Sequence, residues 1–285
     1  MALDSKFYIG WHNRMTDYSL STSLAVESNF PLTNMLNQNK GEPTRWDMSS
    51  TTSTAITFSS ATAYAGNAFM IKGHNMPSDA TVRVRLYAGE SQTGTLLYDS
   101  TATAIYLIIP WGEMIAGIDP WGNYYDPQSN LDTVFSVGFD TVEFKSAQID
   151  IANPTPTNDI LEIDKMALFF AWTPTYNFEN GATTVIEDST IMNQTVAGGF
   201  RPSNFPARRR MDINFSYMSD QDRSLLSHIL VERTTKANDL YIIANPNATG
   251  VSKYLHTSIF KREGDSEFTQ TEYNFNDYAL ILREN

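Results

Sequence analysis

The chain contains no cysteine. Disulfides, zinc-thiolate sites, iron–sulfur clusters and thiol catalysis are therefore excluded. Positive charge is scarce: 20 Lys and Arg stand against 32 Asp and Glu, for a net charge of −12. Phosphate backbones demand clustered Lys and Arg, so general binding to nucleic acid is not expected. Charged residues of both signs make up only 18% of the chain. The solvated surface must therefore draw on Ser, Thr, Asn and Gln, as it does in many all-β proteins. No apolar run approaches the ~20 residues that span a bilayer as a helix. The longest, residues 166–172, has the length of a strand. Residues 1–6 lack a basic patch followed by an apolar core, so neither a secretion signal nor membrane insertion is expected. Histidine occurs four times, at His12, His74, His228 and His256, without metal-ligand spacing. There is no Gly-x-Ser-x-Gly elbow, no phosphate-binding glycine loop and no dinucleotide fingerprint. The expectation is a protein with no catalytic residues, no metal and no cofactor.

What the chain does have is strand-forming pattern. Its 285 residues are 41% hydrophobic and 12% aromatic, enough for one large core or two ordinary ones. Residues 81–87 alternate cleanly, with Val82, Val84 and Leu86 on one side and Arg83 and Arg85 on the other. Residues 49–63, 68–72, 134–144, 147–151, 160–170, 211–217, 240–244, 254–260 and 271–283 also read as strands. Pro31 suits the first turn of a short helix capped by Asn29. One longer helix is expected over 219–233. Ser219 is its cap, Asp222 completes a capping-box-like start, and Leu225, Leu226, Ile229 and Leu230 form its apolar face. Residues 110–133 read as a long aromatic loop, and residues 173–207, marked by Gly198-Gly199, Pro202 and Pro206, as an extended linker or arm. The fold class is mainly β. It divides into a β-sandwich over 1–172, the arm over 173–207 and a smaller α+β domain over 208–285 with one clear helix.

Two resemblances sharpen this reading. Asn34 and Leu36, a polar loop, Thr44-x-Trp46, the strand at 69–71, Gly73-His74-Asn75 and the strand at 81–87 together resemble a discoidin-type jelly roll. That resemblance covers about 28–172 and implies a buried Trp plugging the sandwich. The whole chain is similar to bacteriophage tail proteins that join such a jelly roll to a second β domain. The similarity is carried by Trp172-x-Pro174-x-Tyr176-Asn177, Glu187-Asp188, Arg208-Arg209-Arg210, the strand 211–217, the helix 219–233 and the strand 239–244 followed by Asn245-Pro246. It implies a tail-tip, hub or adaptor component of a virion, assembled in the host cytoplasm.

Several groups of residues invite a site. Trp111, Trp121, Tyr124 and Tyr125 have rings suited to stacking on sugars, and equally to packing a loop or filling a subunit interface. Arg208, Arg209 and Arg210 lack the interleaved aromatics of a nucleic-acid surface and are expected to pair with acidic neighbours on another subunit or domain. Trp172 and Tyr176 are further interface candidates. Asp119, Asp126 and Asp132 follow no calcium-loop spacing. The carboxylate pairs Glu162/Asp164 and Glu187/Asp188 carry no sign of a raised pKa that would mark a glycosidase. The expectation is a structural protein that forms a homo-oligomeric ring and binds other phage tail proteins. The alternative is a host-attachment module that binds a surface glycan through residues 110–125.

Overall fold

The computed structural model describes residues 7–37, 41–77, 79–105, 133–154, 156, 159–176, 183–188, 191–194, 200–203, 207–244, 256–264, 268–272 and 275–284. In chain order the strands are β1 (Tyr8–Gly10), β2 (Ser19–Thr22), β3 (Thr44–Asp47), β4 (Ser53–His74), β5 (Thr81–Tyr87), β6 (Leu96–Asp99), β7 (Thr103–Ala104), β8 (Val134–Ala152), β9 (Ile160–Phe169) and β10 (Ala171–Trp172). They continue with β11 (Thr183–Glu187), β12 (Ile191–Gln194), β13 (Phe200–Ser203), β14 (Arg208–Ser219), β15 (Leu240–Ile243), β16 (Thr257–Glu263), β17 (Phe268–Glu272) and β18 (Phe275–Glu284). One α-helix, α1 (Asp220–Ser227), follows β14. The chain is mainly β, as its patterning predicts. It forms two compact units, one of Met1–Asp126, Thr133–Thr173 and Leu240–Ser258, the other of Pro127–Asp132, Pro174–Asp239 and Ile259–Asn285.

The first unit is a jelly-roll sandwich built on two long strands. β4 has 22 residues and β8 has 19. At about 3.3 Å per residue a straight β4 would reach roughly 70 Å, far beyond a domain with a radius of gyration of roughly 15 Å. Both strands therefore bend. Their pairing shifts register between Ser59 and Tyr64 and again between Gly66 and Ala68. On one side of the bend, β4 pairs with β8 and β2, and β8 with β5, which carries β6 and β7. On the other side, β4 pairs with β8 and β9, and β9 with β3. The bends let one pair of strands serve both layers, the usual way a sandwich turns a corner. The pattern 49–63 and 68–72, which reads as two strands, is thus one bent strand.

Both layers face a single core. Ile56, Phe58, Val82, Val84, Leu86, Ile149 and Ile151 from the first layer meet Phe69, Ile71, Leu161, Ile163, Met166 and Leu168 from the second. Each such side chain contributes about 1.5–3 kcal/mol by leaving water. Trp46 is wholly buried, as the jelly-roll resemblance implies, and its indole N–H donates to Thr22 Oγ1 at 3.2 Å. Thr44 is buried beside it. Its hydroxyl accepts from Met35 N at 3.2 Å and donates to the Pro31 carbonyl at 3.0 Å. That tie holds a short 3₁₀ helix, Leu32–Leu36, which Pro31 precedes with no side-chain cap. Asn29 does not cap it, because the proline's extended backbone already sets the turn. β1 pairs with β10 and with β15. Gly10 is required there, since a Cβ would lie 2.1 Å from the Phe169 ring.

In the second unit, β18 pairs with β14, β16 and β17, and β14 pairs with β11. Ser219 caps α1 as its sequence predicts, with its hydroxyl oxygen accepting from Asp222 N at 3.1 Å. The helix then widens into a π-helical turn over His228–Arg233. Leu226, Ile229 and Leu230 are buried, but Leu225, expected on the same face, is 43% exposed. It stands at the margin of the apolar stripe.

The outward face of β5 is held by ion pairs. Arg83 Nε donates to Asp99 Oδ1 at 2.8 Å, and Arg85 Nε donates to Asp150 Oδ2 at 3.0 Å. The hydrogen bond from Arg83 holds the Asp99 carboxyl down at about 2. A depressed carboxyl stabilises the fold above its unfolded value and loses that effect as pH falls through its folded one. Asp99→Asn is accordingly expected to lower the urea midpoint at pH 7. Its deficit against wild type should shrink below about pH 4 and vanish near pH 2, measured by fluorescence-monitored unfolding.

Candidate functional site

A polar groove opens on the first unit where β4 bends. Its volume is about 620 Å³, and it is lined by Thr16, Asp17, Tyr18, Ser19, Ser59, Ser60, Ala61, Glu90 and Ser91. Three chain segments converge there, and polar side chains tie them in place.

The first segment is a 3₁₀ turn, Arg14–Asp17. Asn13 locks it to β9. Its Oδ1 accepts from Met15 N at 3.1 Å and Leu168 N at 3.2 Å, and its Nδ2 donates to the Met166 carbonyl at 2.8 Å. Met15 is driven into the core, which leaves Thr16 and Asp17 facing outward. Tyr18 follows, buried, stacked on Phe144 with centroids 5.5 Å apart. Its hydroxyl donates to the Phe144 carbonyl at 3.0 Å. Burial pushes the Tyr18 phenol up, so it stays protonated and keeps that bond.

The second segment is the bend of β4 itself. Ser59 sits opposite Ser146 of β8 in the ladder. The third is the turn between β5 and β6. It holds two consecutive non-glycine residues in the left-handed region, Ser91 at φ 51° and Gln92 at φ 60°. The serine pair secures that turn. Ser59 Oγ accepts from Ser91 N at 2.9 Å, and Ser146 Oγ accepts from Gln92 N at 2.8 Å. Ser146 in turn donates to the Gly89 carbonyl at 2.6 Å. Glu90 and Ser91 are thereby carried to the groove rim.

The electrostatics follow from these positions. His12 Nε2 lies 2.8 Å from Asp17 Oδ2, and Arg14 Nη1 donates to the same oxygen at 3.4 Å. Glu90 is exposed; the Thr93 hydroxyl donates to its carbonyl at 2.6 Å, and no described residue makes an ion pair or hydrogen bond with its carboxylate. Hydroxyls supply both donors and acceptors, and the carboxylates supply acceptors alone. Such a surface suits a small polyhydroxylated ligand. No group of three or more His, Asp or Glu able to hold a metal occurs among the described residues.

The residues singled out in the sequence fall elsewhere. Trp111, Trp121, Tyr124, Tyr125, Asp119, Asp126 and Asp132 lie outside the described residues. Trp172 is 7% exposed, in β10 opposite Ile9. Tyr176 is 61% exposed. Arg208 is exposed, and Arg209 is wholly buried, with Nη1 3.5 Å from Glu284 Oε1. Arg210 Nε donates to Asp212 Oδ1 at 3.0 Å. The acidic partners of Arg209 and Arg210 therefore come from their own unit. Glu162 is bound to Arg45, Asp164 accepts from Gly41 N, and Glu187 pairs with Arg283. His74 ends β4, where burial holds its imidazole at about 3 and so neutral. None of the groove residues was marked by the sequence. Ser and Thr in an alternating strand look like ordinary solvated positions, and only the bend of β4 brings them to the β5–β6 turn.

No protein-family model matches the sequence, and no curated protein matches it. Several solved structures are similar in part. A Ruminococcus gnavus GH29 fucosidase in complex with fucose is 12% identical over 56% of this chain, with a TM-score of 0.36. The match covers 27% of the fucosidase, so this chain spans under a third of that enzyme. Chitosan-binding module 1 of a chitosanase/glucanase from Paenibacillus sp. IK-5 is 10% identical over 55% of this chain and 98% of its own, with a TM-score of 0.37. The family 32 CBM from C. perfringens NanJ, in complex with galactose, is 11% identical over 56% and 98%, with a TM-score of 0.36.

Asn13 is the test of how the groove is held. Asn13→Ala leaves buried Leu168 N and the Met166 carbonyl without their partner, an expected cost of about 2–3 kcal/mol. Urea unfolding reads this directly, and amide exchange at Met15 and Leu168 should rise more than exchange in β5.

Proposed function

We propose that the chain is a carbohydrate-binding protein whose jelly-roll unit takes sugar in the groove between Asp17, Ser59 and Glu90. The observation that carries this reading is the groove itself, an open cleft walled by hydroxyls and two carboxylates on segments that Ser59, buried Ser146 and buried Asn13 clamp in place. Sugars are bound by many weak hydrogen bonds, and each is effective only where the protein partners are held in place beforehand. The reading assigns binding without turnover, since neither carboxylate is singled out as an acid. Trp111 and Trp121 are the candidate stacking residues of the alternative site at residues 110–125. Glycan-array screening of the whole chain should return binders, and Ala61→Trp, which fills the groove without touching the core, should weaken them at least about tenfold. An empty array would overturn the reading. Binding that survives Ala61→Trp but is lost in Trp111→Ala or Trp121→Ala would move the site to the aromatic segment.

A second observation favours an assembly role beside it. Among the described residues, five of the seven exposed large hydrophobics (Tyr176, Val185, Ile186, Tyr217 and Leu225) lie in the second unit. Val185 and Ile186 sit on β11, which has β14 on one side and ends the sheet among the described strands. Exposed apolar edges invite pairing with another chain. This is the surface expected of an oligomeric component of a phage tail, in which the sugar site would serve attachment to a host. Light scattering on the whole chain should show a multimer, and Val185→Lys with Ile186→Asp should reduce it to a monomer. A wild-type monomer at high micromolar concentration sinks this second reading and leaves the first untouched.

A further inference from the structure

We infer that the groove selects sugars bearing a free, protonated amine over neutral and acidic ones. This deepens the carbohydrate reading above and rests on it. Among the described residues, the walls of the groove carry two carboxylates and no Lys or Arg. Two cations beside Asp17 are already committed to it. Arg14 donates to Asp17 and lies over the Tyr64 ring at 5.4 Å, and His12 faces the same Asp17 oxygen. On the opposite wall the Glu90 carboxylate has no such partner among the described residues. Its position is not incidental, because the turn that carries it is tied to Ser59 and Ser146 in an unfavourable left-handed conformation.

The chemistry follows from donors and acceptors. A carboxylate offers only acceptors, and an ammonium offers three donors and a full positive charge. The hydroxyls of Ser19, Ser59 and Ser60 suit the sugar's own hydroxyls, which both donate and accept. Acetylating the amine removes the charge and most of the donors. A uronic or sialic acid brings a carboxylate up to that of Glu90, in a chain that already carries −12, and is repelled.

The test uses the whole chain and three defined probes: a glucosamine trimer, an N-acetylglucosamine trimer and a galacturonic acid trimer. Binding is followed by calorimetry and amide NMR at pH 5.5 and low salt. The glucosamine trimer should bind about fivefold more tightly than the acetylated one, the scale of one exposed ion pair. The galacturonic acid trimer should not bind. Glu90→Gln, at an exposed position and so neutral for folding, should abolish the preference, as should 0.5 M salt. Shifts should cluster at Ser59–Ala61 and Glu90–Ser91. Equal binding of acetylated and free trimers, or a preference that survives Glu90→Gln, overturns the inference and leaves the carbohydrate reading standing. Failure of all three trimers together with an empty glycan array removes both.

Discussion

The bend in β4 and β8 is the constraint on which the first unit depends. Two strands of this length cannot stay straight inside a domain of this size. The register breaks at 59–64 and 66–68 relieve the conflict. They also create the two layers, since the same strands continue on both sides of the corner. Phe58 and Phe69 flank the bend on one strand, yet they face the same core from different layers. Gly66 stands at the corner, where a Cβ would already press on the Phe144 ring at 3.0 Å.

The groove is a consequence of that corner. A bulged strand turns its edge residues outward, and Ser59 emerges where the β5–β6 turn can reach it. Here polar groups do structural work that apolar packing cannot. Ser59 and Ser146 satisfy the backbone N–H groups of Ser91 and Gln92, and Asn13 does the same for β9 and the 3₁₀ turn. Each hydroxyl or amide joins segments far apart in sequence, so the rim of the groove is assembled before any ligand arrives.

The second unit uses charge differently. Arg209 and Glu284 face each other in the interior, at 0% and 2% exposure. Arg210, Glu187, Arg283, Glu263 and Asp212 extend the network at the surface. Two of the three basic residues, Arg209 and Arg210, thus pair within their own unit, and Arg208 stands exposed. Removing one member of the buried pair would leave its partner charged and unpaired, the costly case for a buried ion.

Local pattern was enough for much of the fold. Alternation placed Val82, Val84 and Leu86 in the core and Arg83 and Arg85 outside it, because successive side chains in a strand must point to opposite faces. Ser219 and Asp222 marked the start of α1, because a helix leaves its first N–H groups unsatisfied and a nearby hydroxyl can take one. Trp46 could be placed inside through its resemblance to a jelly roll. Pattern failed where it was interrupted. A bulge breaks the period of two, so residues 53–74 looked like two strands, and Leu225, at the margin of the apolar stripe of α1, looked buried. The groove was invisible for a deeper reason. Thr16, Ser59 and Ser91 are common residues with no spacing in common, and they meet only because bent strands carry them to one corner. Sequence by itself determined which residues could be strand, core and cap, since those preferences act within a few residues. The tertiary structure alone decided which hydroxyls and carboxylates share a site, since that depends on where distant strands cross.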